Sequence, residues 1–155
     1  MDLPKLIAFD LDDTLWHPEM WLCSGTPYSV PDASTGKVFC AGGEEMQFLG
    51  DARAVLRLLH DPDGPFRAKG VKVVYVSRTS YPEYAFPLLE LMPVSSPPGA
   101  SMADVGESDL HQIYPMCKVE HFSKIHEATG IAYADMLFFD NEHRNIVDDE
   151  AMGVK

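Results

Sequence analysis

The sequence predicts an α/β fold: a Rossmann-like, three-layer α/β/α arrangement around a parallel sheet. Three observations carry this. Short apolar runs alternate with amphipathic segments along most of the chain. The runs are continuous and rich in branched or aromatic side chains, as in strands covered on both faces. Acids or hydroxyls follow three of the runs directly, at the strand ends where open α/β sheets bind ligands.

Leu6-Ile7-Ala8-Phe9 is too short for a helix and reads as a buried parallel strand. Residues 16–43 have no clean period and hold Pro18, Pro27 and Pro31. They read as an excursion above the first strand, a flap-like hairpin. Residues 51–60 read as a helix, with Asp51 as N-cap and Ala52, Val55, Leu56 and Leu59 as its apolar stripe. Asp61-Pro62-Asp63-Gly64-Pro65 stops it. Val71 to Val76 is a second strand, and a helix from Pro82 to Leu91 follows. Residues 93–109, with Ser95-Ser96-Pro97-Pro98-Gly99, read as a flexible surface insertion. Ile113-Tyr114 is a short third strand. Residues 118–129 form a helix ended by Gly130. Met136 to Phe139 is the fourth strand, and a last helix runs from Glu142 to Met152. The strands are then parallel, with crossover helices on both faces.

The length, 155 residues, suits one domain, 1–155. Twelve basic against twenty-four acidic residues leave a net charge of −12. That argues against nucleic acid and against anionic membranes, since both need a basic face. Cys23, Cys40 and Cys117 form no CxxC and no even-numbered framework, so they read as free thiols in a reducing compartment. The N-terminal apolar run is too short for a signal or membrane segment. The expected address is cytoplasmic, with the nucleus open by diffusion.

The residues after the strands should converge. Asp10, Asp12 and Asp13 follow the first, Ser77-Arg78-Thr79 the second, and Asp140-Asn141-Glu142 the fourth. Lys118 opens the helix after the third. Carboxylates, a hydroxyl and an ammonium together can bind Mg²⁺ through oxygen ligands and a phosphate through hydroxyl, Lys and backbone N–H. Taken singly, each has a plainer explanation. Asp, Ser and Thr cap helices and turns, and a lone Lys is usually solvated. The clustered acids after the first strand repel one another and call for a cation. Trp16 and Trp21 either line a substrate flap or only pack.

Phe9-Asp10-Leu11-Asp12-Asp13-Thr14-Leu15 resembles the DxDx[TV] signature of haloacid dehalogenase (HAD) superfamily phosphatases. Val76-Ser77-Arg78-Thr79-Ser80, Lys118 and Phe138-Phe139-Asp140-Asn141-Glu142 resemble their second, third and fourth motifs. The closer pattern adds Leu-Trp after the first motif, Ile-Tyr-Pro-x-x-Lys and Glu-x-x-Asn-Ile. It resembles the eukaryotic magnesium-dependent phosphatase-one family. The resemblance implies a magnesium-dependent phosphatase acting on a phosphorylated small molecule or phosphoprotein. Its implied substrates are phosphotyrosine or sugar-phosphate groups carried on proteins.

The resemblance further implies roles. Asp10 is the nucleophile, forming an aspartyl-phosphate, and Asp12 the general acid/base. Asp10, the Asp12 carbonyl and Asp140 hold Mg²⁺. Ser77 and Lys118 bind the phosphoryl group, and Lys118 also orients Asp10; Arg78, by its place after the second strand, either aids phosphate binding or pairs with an acid. Two departures stand out. Asn141 replaces a frequent second Asp in the fourth motif, which implies weaker Mg²⁺ affinity. The chain also ends at Val154-Lys155, where this fold starts another strand. The spacing of Asp10 and Ser77, 77 − 10 = 67 residues, leaves no room for a large cap. Two rival readings are a non-catalytic regulatory protein that keeps the fold, and a phosphotransferase with an alcohol acceptor.

Overall fold

The computed structural model describes residues 3–96 and 99–155. In chain order the strands are β1 (Leu6–Phe9), β2 (Trp16–His17), β3 (Val38–Phe39), β4 (Glu45–Phe48), β5 (Lys72–Ser77), β6 (Gln112–Ile113) and β7 (Met136–Phe139). The helices are α1 (Ala52–His60), α2 (Pro65–Ala68), α3 (Pro82–Leu91), α4 (Met102–Val105), α5 (Lys118–Thr129) and α6 (His143–Met152). The main sheet has the order β6-β5-β1-β7, and all its pairings are parallel. Lys155 extends it beyond β7, donating its N–H to Met136 O at 3.1 Å and accepting from Phe138 N at 2.8 Å.

Alternation along β1 separates two cores, because successive side chains point to opposite faces. Ile7 and Phe9 pack with Val73, Tyr75, Leu56 and Leu88 on the face covered by α1, α3 and α4. Leu6 and Ala8 pack with Val74, Val76, Phe122 and Ile125 on the other. β1 is buried at every position, as the central strand of a three-layer fold must be. α5 stops where expected: Gly130 sits at φ 69°, a left-handed geometry that a Cβ disfavours. No helix among the described residues is long and apolar enough to cross a membrane.

The structure departs from the sequence reading in four places. The excursion after β1 is a three-stranded antiparallel sheet, order β2-β4-β3, where a flap-like hairpin is expected. Cys23 and Cys40 are not free thiols but a disulfide, 17 residues apart, buried against this sheet. Spacing in the sequence cannot show that two turns of the excursion meet; only Cys117 is free and exposed. The 93–109 segment is not a surface insertion. Val94, Met102 and Val105 are buried, and α4 opens with a capping box between Ser101 and Asp104. Pro97 and Pro98 of that segment lie outside the described residues. Finally, Asp51 precedes α1 without a side-chain cap bond, and Val55 is 40% exposed, so the buried stripe is Leu56 and Leu59.

His111 joins this packing to pH. Its Nδ1 accepts the Tyr75 N–H at 3.1 Å. Its ring packs so tightly on Gly106 that a Cβ there would lie 2.5 Å from a ring carbon. Burial pushes the imidazole down from 6.5 to about 4. The folded state therefore binds fewer protons than the unfolded state between those values, and stability rises with pH there. The contribution is full above 6.5 and is lost as pH falls to about 4. Urea titrations of the parent and His111→Gln should show a stability difference that shrinks across this window; a difference independent of pH would refute the assignment. Non-reducing peptide mapping should recover Cys23 and Cys40 as one linked pair, with Cys117 taking the alkylating agent.

Candidate active site

The predicted site residues come together at the carboxyl edge of the sheet. Asp10 caps β1, its N–H bonded to Phe139 O at 2.9 Å. Thr14 turns back to the same carboxylate, Oγ1 to Asp10 Oδ2 at 3.4 Å. Asp13 sits at φ 53°, an uncommon geometry for a residue with a Cβ. The turn it makes brings Trp16 over Asp12, and the indole N–H donates to Asp12 Oδ1 at 2.8 Å. Ser77 ends β5, buried, and its hydroxyl accepts the Thr79 N–H at 3.2 Å.

Asp140 ends β7. Its Oδ1 accepts the Glu142 N–H at 2.7 Å, and its Oδ2 accepts the Asn145 amide at 2.8 Å. Asn145 in turn accepts from Arg78 at 3.2 Å. Asn145 thus joins the fourth-motif carboxylate to the basic residue after β5. Sequence reasoning gives it no chemical role. The signal was its place one turn into the helix that follows Asp140. Asn141 is exposed, and its N–H donates to Thr14 Oγ1 at 3.1 Å.

Lys118 is buried beside the nucleophile, its side chain only 1% exposed. Its ammonium reaches Asp10 Oδ1 at 2.6 Å, Asp140 Oδ2 at 3.3 Å and the Val76 carbonyl. Of its three N–H donors, two go to Asp10 Oδ1 and the Val76 carbonyl, and Asp140 Oδ2 is held as an ion pair. The contact with Asp10 is the expected one. Lys118 lies under the floor of a cleft of about 300 Å³ whose lining includes Asp10, Asp12, Ser77, Arg78 and Asn145, with Glu19 and Trp21 at its rim.

The electrostatics leave a deficit of positive charge. Two buried carboxylates share one ammonium. Burial pushes Asp10 up to about 6; Lys118 opposes the rise and Asp140 adds to it. Burial also raises Asp12, while the Trp16 N–H works against it. Among the described residues no three His, Cys, Asp or Glu side chains gather as a metal cage. Hard oxygen donors and an uncompensated negative charge fit Mg²⁺, with Asp10, Asp140 and the Asp12 carbonyl as the residues to hold it.

A parallel sheet with this acid–hydroxyl–lysine–acid series along its carboxyl edge defines a HAD-like α/β protein. The family model described as Acid Phosphatase matches residues 2–155, and the chain belongs to that family. It is 35% identical over 153 residues to magnesium-dependent phosphatase 1 of Homo sapiens, covering 98% of this chain and 76% of that one. A HAD-like hydrolase superfamily protein of Schizosaccharomyces pombe is 33% identical over 148 residues, covering 94% and 80%. Among solved structures, an N-terminal phosphatase-domain part of a Bacteroides fragilis protein, complexed with Mg, aligns at TM-score 0.58. The alignment covers 99% of this chain and 35% of that one; at 17% identity it shows a shared fold.

Removing the Lys118 ammonium would leave Asp10 and Asp140 buried without their shared cation. Breaking one partner of a buried pair costs about 3–5 kcal/mol. Lys118→Met should lose stability of that order in metal-free chemical denaturation, and Mg²⁺ should restore more stability to the variant than to the parent. Equal stability of the two proteins would show that the ammonium is not what holds the carboxylates together.

Proposed function

We propose that this chain is a magnesium-dependent phosphomonoester hydrolase working through an aspartyl-phosphate on Asp10. The observation that carries the reading is the placement of two carboxyl groups on one tight turn at a cleft. Asp10 is fixed from below by Lys118 at 2.6 Å, and Asp12 is fixed from the side by Trp16 at 2.8 Å. One is anchored beside a cation, as a nucleophile should be. The other stands nearer solvent, as a proton carrier should be.

Bound Mg²⁺ would supply charge neutralisation for the phosphoryl group and keep the carboxylates ionised. The chain's residues do the rest. An Asp10 oxygen bonds to phosphorus while the bond to the leaving oxygen breaks, and Asp12 gives its proton to that oxygen. Asp12 then takes a proton from the water that attacks the phosphoaspartate. That returns Asp10 as carboxylate and releases phosphate. Ser77 and Arg78 line the cleft and donate to phosphoryl oxygens. Removing one donor of that kind typically costs about 2.7–4 kcal/mol in the transition state. Lys118 orients Asp10 through their 2.6 Å contact and offsets charge on the phosphoryl group.

The substrates proposed are phosphotyrosine or sugar-phosphate groups carried on proteins. The cleft admits an attached carrier, and its rim offers exposed Trp21 to a ring. The proposed setting is cytoplasmic, with no nucleic-acid partner. The relative from Homo sapiens bears the name of a magnesium-dependent phosphatase, which supports the metal and the reaction class.

The experiment measures phosphate release from p-nitrophenyl phosphate with Mg²⁺, with EDTA, and with Asp10→Asn. Acid quenching with phosphorus-labelled substrate accompanies it. Activity should require Mg²⁺ and fall at least a thousandfold in Asp10→Asn, and label should be recovered on the Asp10 peptide of the parent. A folded parent that binds Mg²⁺ and releases no phosphate would favour the non-catalytic reading. Label passing to an alcohol instead of water would favour a phosphotransferase.

A further inference from the structure

Asp12 lies on a turn rather than a strand, so something other than the sheet must aim its carboxyl group. We propose that Trp16 is the positioning residue of Asp12. Its indole N–H, donated to Asp12 Oδ1 at 2.8 Å, fixes the group that protonates the leaving oxygen. The inference rests on the acid/base reading of Asp12 given above.

The geometry favours this over mere packing. Trp16 is fully buried, so its ring is locked in the core while its one polar atom needs a partner. Many carbonyls would serve. The partner found is instead the carboxylate that lines the cleft beside Asp10. The backbone closes on the same pair. Asp13 N donates to Trp16 O at 2.9 Å, and Trp16 N reaches Leu11 O at 3.3 Å. Asp12 and Trp16 form a β-bridge across the turn. The turn bends through Asp13 at φ 53°, a strained geometry kept where surrounding structure over-determines it.

Trp16 is itself anchored. It pairs with Phe48 of β4, and Leu49 N donates to Leu15 O at 3.0 Å beside it. The antiparallel sheet after β1 is therefore what holds the proton donor, just as the parallel sheet holds the nucleophile.

Protonating the leaving oxygen matters most when that oxygen is a poor leaving group. A well-placed general acid contributes about 10²–10⁴-fold, and a displacement of about 1 Å can remove 10²-fold. Loss of the indole N–H should therefore penalise alkyl phosphates more than nitrophenyl phosphate. A structural defect would penalise all substrates alike.

The test measures kcat/KM, which reports the phosphorus-transfer step, with Mg²⁺ across phenyl and alkyl phosphates of rising leaving-group pKa. The variants are Trp16→Phe, Asp12→Asn, and the protein with 3-benzothienylalanine at position 16. That analogue keeps the bicyclic ring and replaces N–H by sulfur, so it remains decisive if the phenylalanine variant is poorly folded. The loss should grow along the series, to about tenfold or more for alkyl phosphates, and Asp12→Asn should follow the same trend more steeply. A uniform loss, or none, in the benzothienyl protein beside a steep Asp12→Asn would overturn the role of Trp16 alone. A flat series for Asp12→Asn would overturn the acid/base reading and the inference with it.

Discussion

The Lys118 ammonium sets the frame on which the rest of the site depends. It is the first residue of α5, yet its side chain passes under the sheet edge to touch the ends of β1 and β7 and the penultimate carbonyl of β5. Three neighbouring strands that end in acids or hydroxyls would otherwise repel or gape at this edge. Desolvating one ammonium and two carboxylates costs several kcal/mol per ion before any attraction is counted. Such a cluster is therefore poor evidence of stability for its own sake. Its use is geometric: it holds Asp10 still, in a place where burial raises its proton affinity and an added cation would lower it.

That imbalance links the whole-chain charge to the site. A chain of net charge −12 has few cations to spare, and one of its twelve basic residues is committed in the interior. The cleft above holds Arg78 and Arg144, but Glu19 and Glu142 line it too. Arg144 is already paired to Glu142 at 2.6 Å. Protein charge alone leaves little attraction for a phosphate dianion. A divalent cation held by Asp10 and Asp140 would supply what the side chains lack.

Much of this was legible in the sequence, for a physical reason. A buried parallel strand must be apolar throughout, and Leu6–Phe9 and Met136–Phe139 are visible at their observed bounds. α3 and α5 likewise begin at Pro82 and Lys118 and end as expected, α5 at a glycine that takes the left-handed turn. Strand ends then predict which acids meet. What stayed hidden depends on contacts between segments distant in sequence. The excursion after β1 pairs strands through only two residues each, so no period betrays it. Cys23 meets Cys40 only because that small sheet folds back. α4 is four residues long and is defined by its capping box and by Met102 reaching the core, not by a stripe. Lys118 was visible as a site residue beside Asp10, but its contacts with Asp140 and the Val76 carbonyl were not, because they join three chain segments far apart in sequence.

The cost of building the site falls on the helices behind it. Asn145 and Asp149 lie one turn apart on the buried face of α6. Asn145 is useful there, tying Asp140 to Arg78. Asp149 has neither carboxylate oxygen bonded, although it is 1% exposed. Burial is the main reason its carboxyl is pushed up to about 7, with Lys118 opposing and Asp140 adding to the rise. On α5, His121 bonds the Tyr114 carbonyl with Nε2 and leaves Nδ1 unpaired, and burial together with the Lys118 charge lowers it to about 4. Burial disfavours the charged form of both groups, the acid and the base alike. A charged Asp149 would draw on the ammonium that serves Asp10 and Asp140, and a charged His121 would repel it. Burial at these two positions therefore favours the Lys118 contacts with the two carboxylates at the site.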